Sequence, residues 1–359
     1  MKEYKLREMD EEIRAKSKLK WNSIAKPLKG LGDFEEVVSQ IAAIHGSALP
    51  DISKRVLVIM CSDNGIVDEG VTQSPQAVTA QMAELMGLKK SSACVLAAEA
   101  GCKVQPVDIG INADIKYRDD EGRELILDRK IRKGTRDFAI APAMTEEETI
   151  SAINVGRELA HKYKAEGYGL ILVGEMGIGN TTTAAACIIS MLALNIETYV
   201  GRGAGLDDAG LRKKKKLIKD AILKYGLDRN CHALKVLSHV GGFDIAGIAG
   251  LIIGGAECGI PVIIDGVITA SAALIAEALA PGCSAYVIAS HSGREAGIMP
   301  ALEALDLKPL INGNMALGEG VGAVMALKLI DLAYALYKNG TTFGDIGLEQ
   351  YKELSVGKA

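Results

Sequence analysis

Two glutamates in glycine-rich surroundings are the residues of this sequence best suited to acid–base chemistry. Glu175 stands in "GEMGIGNTTTAAA" (Gly174 to Ala186), and Glu319 lies between Gly318 and Gly320 in "LKPLINGNMALGEGVGAVMAL". Glycine neighbours leave a carboxylate unobstructed, and apolar surroundings can tune its pKa toward general-base work. Each acid is also open to a structural reading, as a first-turn residue that complements a helix dipole. Asp265 ends the apolar run "PVIID". An acid at the carboxyl end of a strand is well placed to meet ribose hydroxyls.

The glycines of the first stretch fall between "LILV" (Leu170 to Val173), which reads as a buried strand, and "TTTAAACIISML" (Thr181 to Leu192), which reads as a helix. At such a corner the backbone approaches a ligand closely. The free N–H groups of the helix start favour a phosphate or carboxylate. No lysine follows the glycines as a P-loop requires, so a nucleoside triphosphatase is excluded. "GRGAGL" (Gly201 to Leu206) has loose dinucleotide-fingerprint spacing, or is a tight turn before a helix near Asp207; a dehydrogenase rests on it alone. "SDNG" (Ser62 to Gly65) and "SHSGREAG" (Ser290 to Gly297, with His291) are further polar strand ends, open to readings as ordinary turns. "KKKK" (Lys213 to Lys216) reads as a solvated helix face from which one lysine could reach a phosphate.

The elements that must position these residues follow from apolar runs, each succeeded by a polar corner and a helical pattern. The strands are Arg55 to Asp63, Lys103 to Ile111, Gly169 to Glu175, Ile260 to Asp265 and Ser284 to Ser290. This alternation predicts an α/β fold, a Rossmann-like three-layer arrangement in which helices cover both faces of a parallel sheet. Thr145 and Glu148 form a capping-box signal for a helix that closes at Gly167, and another helix runs from acids at Asp207 and Asp208 to Gly226. The charged segment from Lys116 to Arg136 reads as an exposed loop. Residues 1–50 and 318–359 are expected to form a small helical domain from both chain ends, beside a large α/β domain over 51–317.

Of 359 residues, 41 are Lys or Arg, 45 are Asp or Glu, and 4% are aromatic. That balance argues against a nucleic-acid surface. Seven scattered cysteines without a C-x-x-C pair read as buried thiols in a reducing, cytoplasmic setting. Glu257, Pro261 and Asp265 interrupt the apolar stretch from Ile245 to Ile275, so it reads as buried core rather than a membrane span. The N-terminal charge alternation does not read as a targeting peptide.

Taken in order, these clusters resemble the nicotinate-nucleotide:dimethylbenzimidazole phosphoribosyltransferase family, which prepares the lower ligand of cobamides. The matching stretches are "KPLKGLG", "SDNGIVDEGVTQSPQAVTAQM", "GEMGIGNTTTAAA", "VGRGAGLDDAGLRKK", "VGGFDIAGIAGLIIGGA", "PVIIDGVITASAALIA", "SHSGREAG" and "LGEGVGA", spanning about residues 26 to 337. The resemblance implies transfer of phosphoribose from nicotinate mononucleotide to an aromatic base, with no cofactor and no metal. It implies Gly177, Gly179, Asn180 and Thr181 near the phosphoribosyl group, with Gly203 beside them. Lys214 would meet the phosphate and Asp265 the ribose, with Ser290 and Gly293 as neighbours. Glu319 resembles the family's catalytic base, and a second carboxylate, Glu175, would stabilise positive charge. Gln81 and Leu317 would wall the acceptor. A homodimer is implied, although phenol-using relatives pair two paralogous subunits. The family commonly carries histidine where Asn64 stands and arginine where Ala316 stands. Both changes border the acceptor side and leave the acceptor open among benzimidazoles, adenine and phenols; a silent regulatory subunit would have no chemical need for Glu319.

Overall fold

A computed structural model describes residues 4–352. Helices α1 (Glu11–Ser23) and α2 (Asp33–His45) precede the first strand, β1 (Arg55–Ser62). Two helices, α3 (Ala77–Gly87) and α4 (Ser92–Glu99), return the chain to β2 (Lys103–Gly110) and the short β3 (Leu127–Asp128). Helix α5 (Glu146–Ala165) leads to β4 (Leu170–Met176). After it come α6 (Asn180–Leu192), α7 (Ile196–Tyr199), α8 (Asp208–Tyr225), α9 (Ala233–Val240) and α10 (Phe243–Cys258). The chain ends with β5 (Val262–Ile264), α11 (Val267–Leu279), β6 (Val287–Ala289), α12 (Ile298–Ala304) and α13 (Val321–Asn339).

The six strands form one sheet in the order β3-β2-β1-β4-β5-β6, and every pairing is parallel. Successive side chains of β1 serve two cores. Val56, Val58 and Met60 join one cluster with residues of α5, α6, α10 and α11, while Leu57, Ile59 and Cys61 join another with α3, α4 and α13. Burial on both faces explains why this strand is uniformly apolar rather than alternating. The strand order reverses between β1 and β4, the place where open α/β sheets bind ligands.

The capping box at Thr145 and Glu148 is present, and α8 runs from an Asp207 cap to a left-handed Gly226. The Ile245 to Ile275 stretch becomes α10, β5 and most of α11, nearly all buried, and no helix among the described residues is long and apolar enough to cross a membrane. Two expectations need correction. The Lys116–Arg136 segment is not wholly exposed: Ile126 and Leu127 are buried, and Leu127–Asp128 adds the edge strand β3 beside β2. Three consecutive apolar residues, Leu125 to Leu127, are too few to create a periodic signal. The run Ser284 to Ser290 yields strand only over its last part, because Cys283–Tyr286 coils into a 3₁₀ turn.

Trp21, Ile24, Val38, Ala333 and Tyr337 pack together where α1, α2 and the end of α13 meet. The first half of α13, through Val321, Val324 and Leu327, packs instead into the core beneath the sheet. Residues 1–3 and 353–359 of the expected terminal lobe lie outside the described residues.

Candidate active site

A cavity of about 320 Å³ opens beyond the carboxyl ends of β1, β4, β5 and β6. Its walls are the segments that follow those strands, together with Gly203 and Ala204 and the Met315–Glu319 approach to α13. A larger open cleft of about 650 Å³ lies elsewhere, between Arg136–Glu146 and α9, and contains none of the expected site residues. The smaller cavity gathers the chemistry.

The corner after β4 delivers the start of α6 to the cavity. Gly179, at φ +93°, is the helix N-cap, and no side chain caps that turn. A β-carbon at Gly177 would stand 2.2 Å from the Ser62 carbonyl oxygen, so only glycine lets the corner lie against the end of β1. Thr181 is the second residue of α6, and its hydroxyl accepts a 2.9 Å hydrogen bond from the Lys214 ammonium. Lys214 is 1% exposed, and burial lowers its pKa to about 8, with Glu295 opposing the shift. The other three lysines of the run face outward to Glu69, Glu197 and Asp220. The "GRGAGL" stretch forms the turn before α8. A β-carbon at Gly203, φ +55°, would sit 2.5 Å from the Thr181 hydroxyl oxygen. An uncapped helix start, glycine backbone and a buried ammonium are features that favour an anion.

The acids have distinct tasks. Asp265, just beyond β5, accepts from the backbone N–H groups of Gly320 (3.2 Å), Gly322 (2.7 Å) and Ala323 (3.3 Å). It therefore caps α13 from across the sheet, which uses three of the roughly four acceptor positions of a carboxylate. His291 Nε2 lies 3.4 Å from the same group. Glu319 precedes α13 instead of occupying its first turn, so the dipole role there falls to Asp265. Glu319 has φ +58° between two left-handed glycines, and a β-carbon at Gly174 would stand 2.6 Å from its carbonyl carbon. A non-glycine residue in this backbone region is strained, and such strain concentrates at functional positions. The Glu319 carboxylate accepts from Ala93 N–H at 3.4 Å, at the start of α4. Its pKa is raised by burial, opposed by hydrogen bonds from Ala93 and Ser91, and raised further by Asp265.

Glu175 lies within β4 and does not serve as a helix cap. Burial first, then the charges of Asp244, Asp265 and Glu319, push its pKa up to about 8, so it keeps its proton at neutral pH. The Asn180 amide donates to Glu175 and, at 3.2 Å, to Asp244. Asp244 is fully buried and shifted to about 6 by burial. Two carboxyl groups with differently tuned environments, one protonated and one held by donors, suit acid–base chemistry beside a centre that gains positive charge.

Glu175, Gly177, Gly179, Asn180, Thr181, Gly203, Asp265, Gly293, Leu317 and Glu319 all line this cavity. Lys214 and Ser290 stand behind it, Ser290 donating to the Asp265 carbonyl at 3.2 Å. Gln81 is exposed on α3 and does not line the cavity; its neighbour Met82 does. Residue-level reading missed Asp244, a first-turn acid in an apolar helix that resembles an ordinary dipole complement. It also missed Ser91, whose only local signal was that of a helix N-cap.

A family model described as phosphoribosyltransferase matches residues 6–348. The chain is 40% identical over 349 residues to the nicotinate-nucleotide–dimethylbenzimidazole phosphoribosyltransferase of Ruminiclostridium cellulolyticum, covering 97% of each chain. It is 41% identical to the enzyme of the same name from Acetivibrio thermocellus, covering 92% of each. Among solved structures, CobT from Thermus thermophilus superimposes with a TM-score of 0.87 at 38% identity, over 95% of this chain and all of that one.

Proposed function

Because this chain belongs to the nicotinate-nucleotide–dimethylbenzimidazole phosphoribosyltransferase family, we propose that it moves the phosphoribosyl group of nicotinate mononucleotide onto 5,6-dimethylbenzimidazole. The products are nicotinate and the α-ribotide used in assembling the cobamide nucleotide loop. The observation that carries the reading is the convergence in one cavity of an anion-binding corner and the Glu175–Glu319 pair.

The chemistry asks for what that cavity holds. The bond from the anomeric carbon to the pyridinium nitrogen breaks, and its electron pair neutralises the departing nicotinate. Positive charge then grows on the ribose, which the Asp265 carboxylate at the end of β5 stabilises. The acceptor's ring nitrogen bonds from the opposite face, inverting the centre. Its remaining ring proton passes to Glu319, the general base. The α6 corner and Lys214 hold the phosphate. Met82, Met176, Met315 and Leu317 give the remaining wall the flat apolar character that an aromatic acceptor requires.

Incubation with nicotinate mononucleotide and a panel of dimethylbenzimidazole, adenine, phenol and p-cresol, followed by chromatography and mass analysis, tests this. Dimethylbenzimidazole α-ribotide and nicotinate are the expected products. Absence of product with every acceptor would overturn the reading.

A homodimer is supported by the outer face of α13. Met325, Leu329, Leu332 and Leu336 recur there at helical spacing and are exposed, Leu332 at 69%. A continuous apolar stripe of this kind marks an association surface. Leu332→Glu is expected to convert a dimer into a monomer in sedimentation, and a native protein that already sediments as a monomer would remove the proposal. A cytoplasmic setting is supported by the seven cysteines, all free thiols.

A further inference from the structure

The first turn of α4 meets the active site at Glu319. Ser91 is its N-cap, 3% exposed, and its hydroxyl oxygen accepts from Cys94 N–H at 3.3 Å. The Glu319 carboxylate takes the Ala93 N–H of the same turn at 3.4 Å, and the neighbouring Ser91 side chain opposes the rise in its pKa. A carboxylate 226 residues away in sequence thus shares the orphan donors of this helix start with the cap residue. We propose that Ser91 is a positioning residue for the reaction, fixing the Glu319 carboxylate in its ionised form at the start of α4. This rests on the reading of Glu319 as the base.

The ionised form needs such support. Glu319 is flanked by Glu175 from β4 and by Asp265 from the end of β5, with His291 beyond β6 in the same cavity. The Asp265 charge, like burial, favours the protonated state, in which Glu319 could not accept the acceptor's proton. On α4 the nearby titratable group is the Cys94 thiol, which donates to the Met86 carbonyl. The donors of α4 therefore oppose everything else around Glu319. Removing the hydroxyl should raise the pKa of Glu319 and move the acid limb of the rate profile to higher pH.

Ser91→Gly keeps a tolerated helix cap while deleting the hydroxyl, and Ser91→Thr restores it. Profiles of kcat/KM for the acceptor, at saturating nucleotide, are compared among native enzyme, both variants and Glu319→Gln. Ionisations of the substrates are common to all and cancel in the comparison. The expected result is an upward displacement of the acid limb by about one pH unit in Ser91→Gly, with rates converging on native at high pH and the native limb recovered in Ser91→Thr. An unmoved limb, or a uniform fall at every pH, would overturn the role of Ser91. A native rate and limb in Glu319→Gln would instead remove Glu319 from the base role, a separate failure.

Discussion

Glu319→Gln should lower turnover by about two to four orders of magnitude while leaving the fold intact, because a positioned general base contributes a factor of that size. Glutamine keeps the shape of the side chain and an oxygen able to accept the Ala93 N–H, so the 3.4 Å contact at α4 is retained. What disappears is the capacity to take a proton. Folding should not suffer, and the sign can be worked out. Burial raises the pKa of Glu319 above its ordinary value, so as pH rises the unfolded chain loses this proton first. The native state is penalised progressively between the unfolded and folded pKa values and carries that penalty above both. A neutral glutamine escapes it, so the variant's thermal midpoint at pH 7 should equal or exceed that of native protein. Steady-state turnover beside a melting curve checks both halves. Near-normal turnover would transfer the proton-acceptor role elsewhere; a collapsed melting curve would mean that the lost activity reports the fold.

Much of the architecture was legible because burial on both faces writes strands as unbroken apolar runs, as in "RVLVIMCS" and "LILVGEM". The edge strand at Leu127 was not, since a run of three apolar residues inside a charged segment carries no period. The same distinction between local and distant information runs through the site. The α6 corner could be read from its own glycines, because strand, turn and helix are contiguous. Asp265 was recognisable as a strand-end acid, but nothing local indicated that its carboxylate would close the start of α13, 55 residues onward. Glu319 looked like a first-turn acid of the helix it precedes; the helix start that it touches is that of α4. Of four consecutive lysines, helical rotation had to select one, and only packing against Thr181 shows which is turned inward.

That inward lysine is the second large lever. Lys214→Met should weaken nicotinate mononucleotide binding about 10- to 100-fold, since a charged hydrogen-bonding group of this kind contributes roughly 1.5–3 kcal/mol. Saturating nucleotide should restore most of kcat, because a phosphate remote from the anomeric carbon is held equally in ground and transition states. Affinity in the native enzyme should decline as pH rises through about 8, where the buried ammonium loses its proton. The methionine variant should lack that decline. Stability should move the other way. The folded pKa lies below the ordinary lysine value, so between the two the unfolded chain holds more protons and native stability rises with pH. At neutral pH the native protein bears the full cost of the buried cation, with Thr181 as its hydrogen-bond partner. Methionine fills similar volume without charge, so the variant should melt higher while binding worse. Calorimetric titration with nucleotide across pH, together with melting curves, reads both effects. Unchanged affinity would place the phosphate away from Lys214 and Thr181, toward Arg294 at the cavity's other wall. Weaker binding with lower stability would mean that the lysine is there to support the fold.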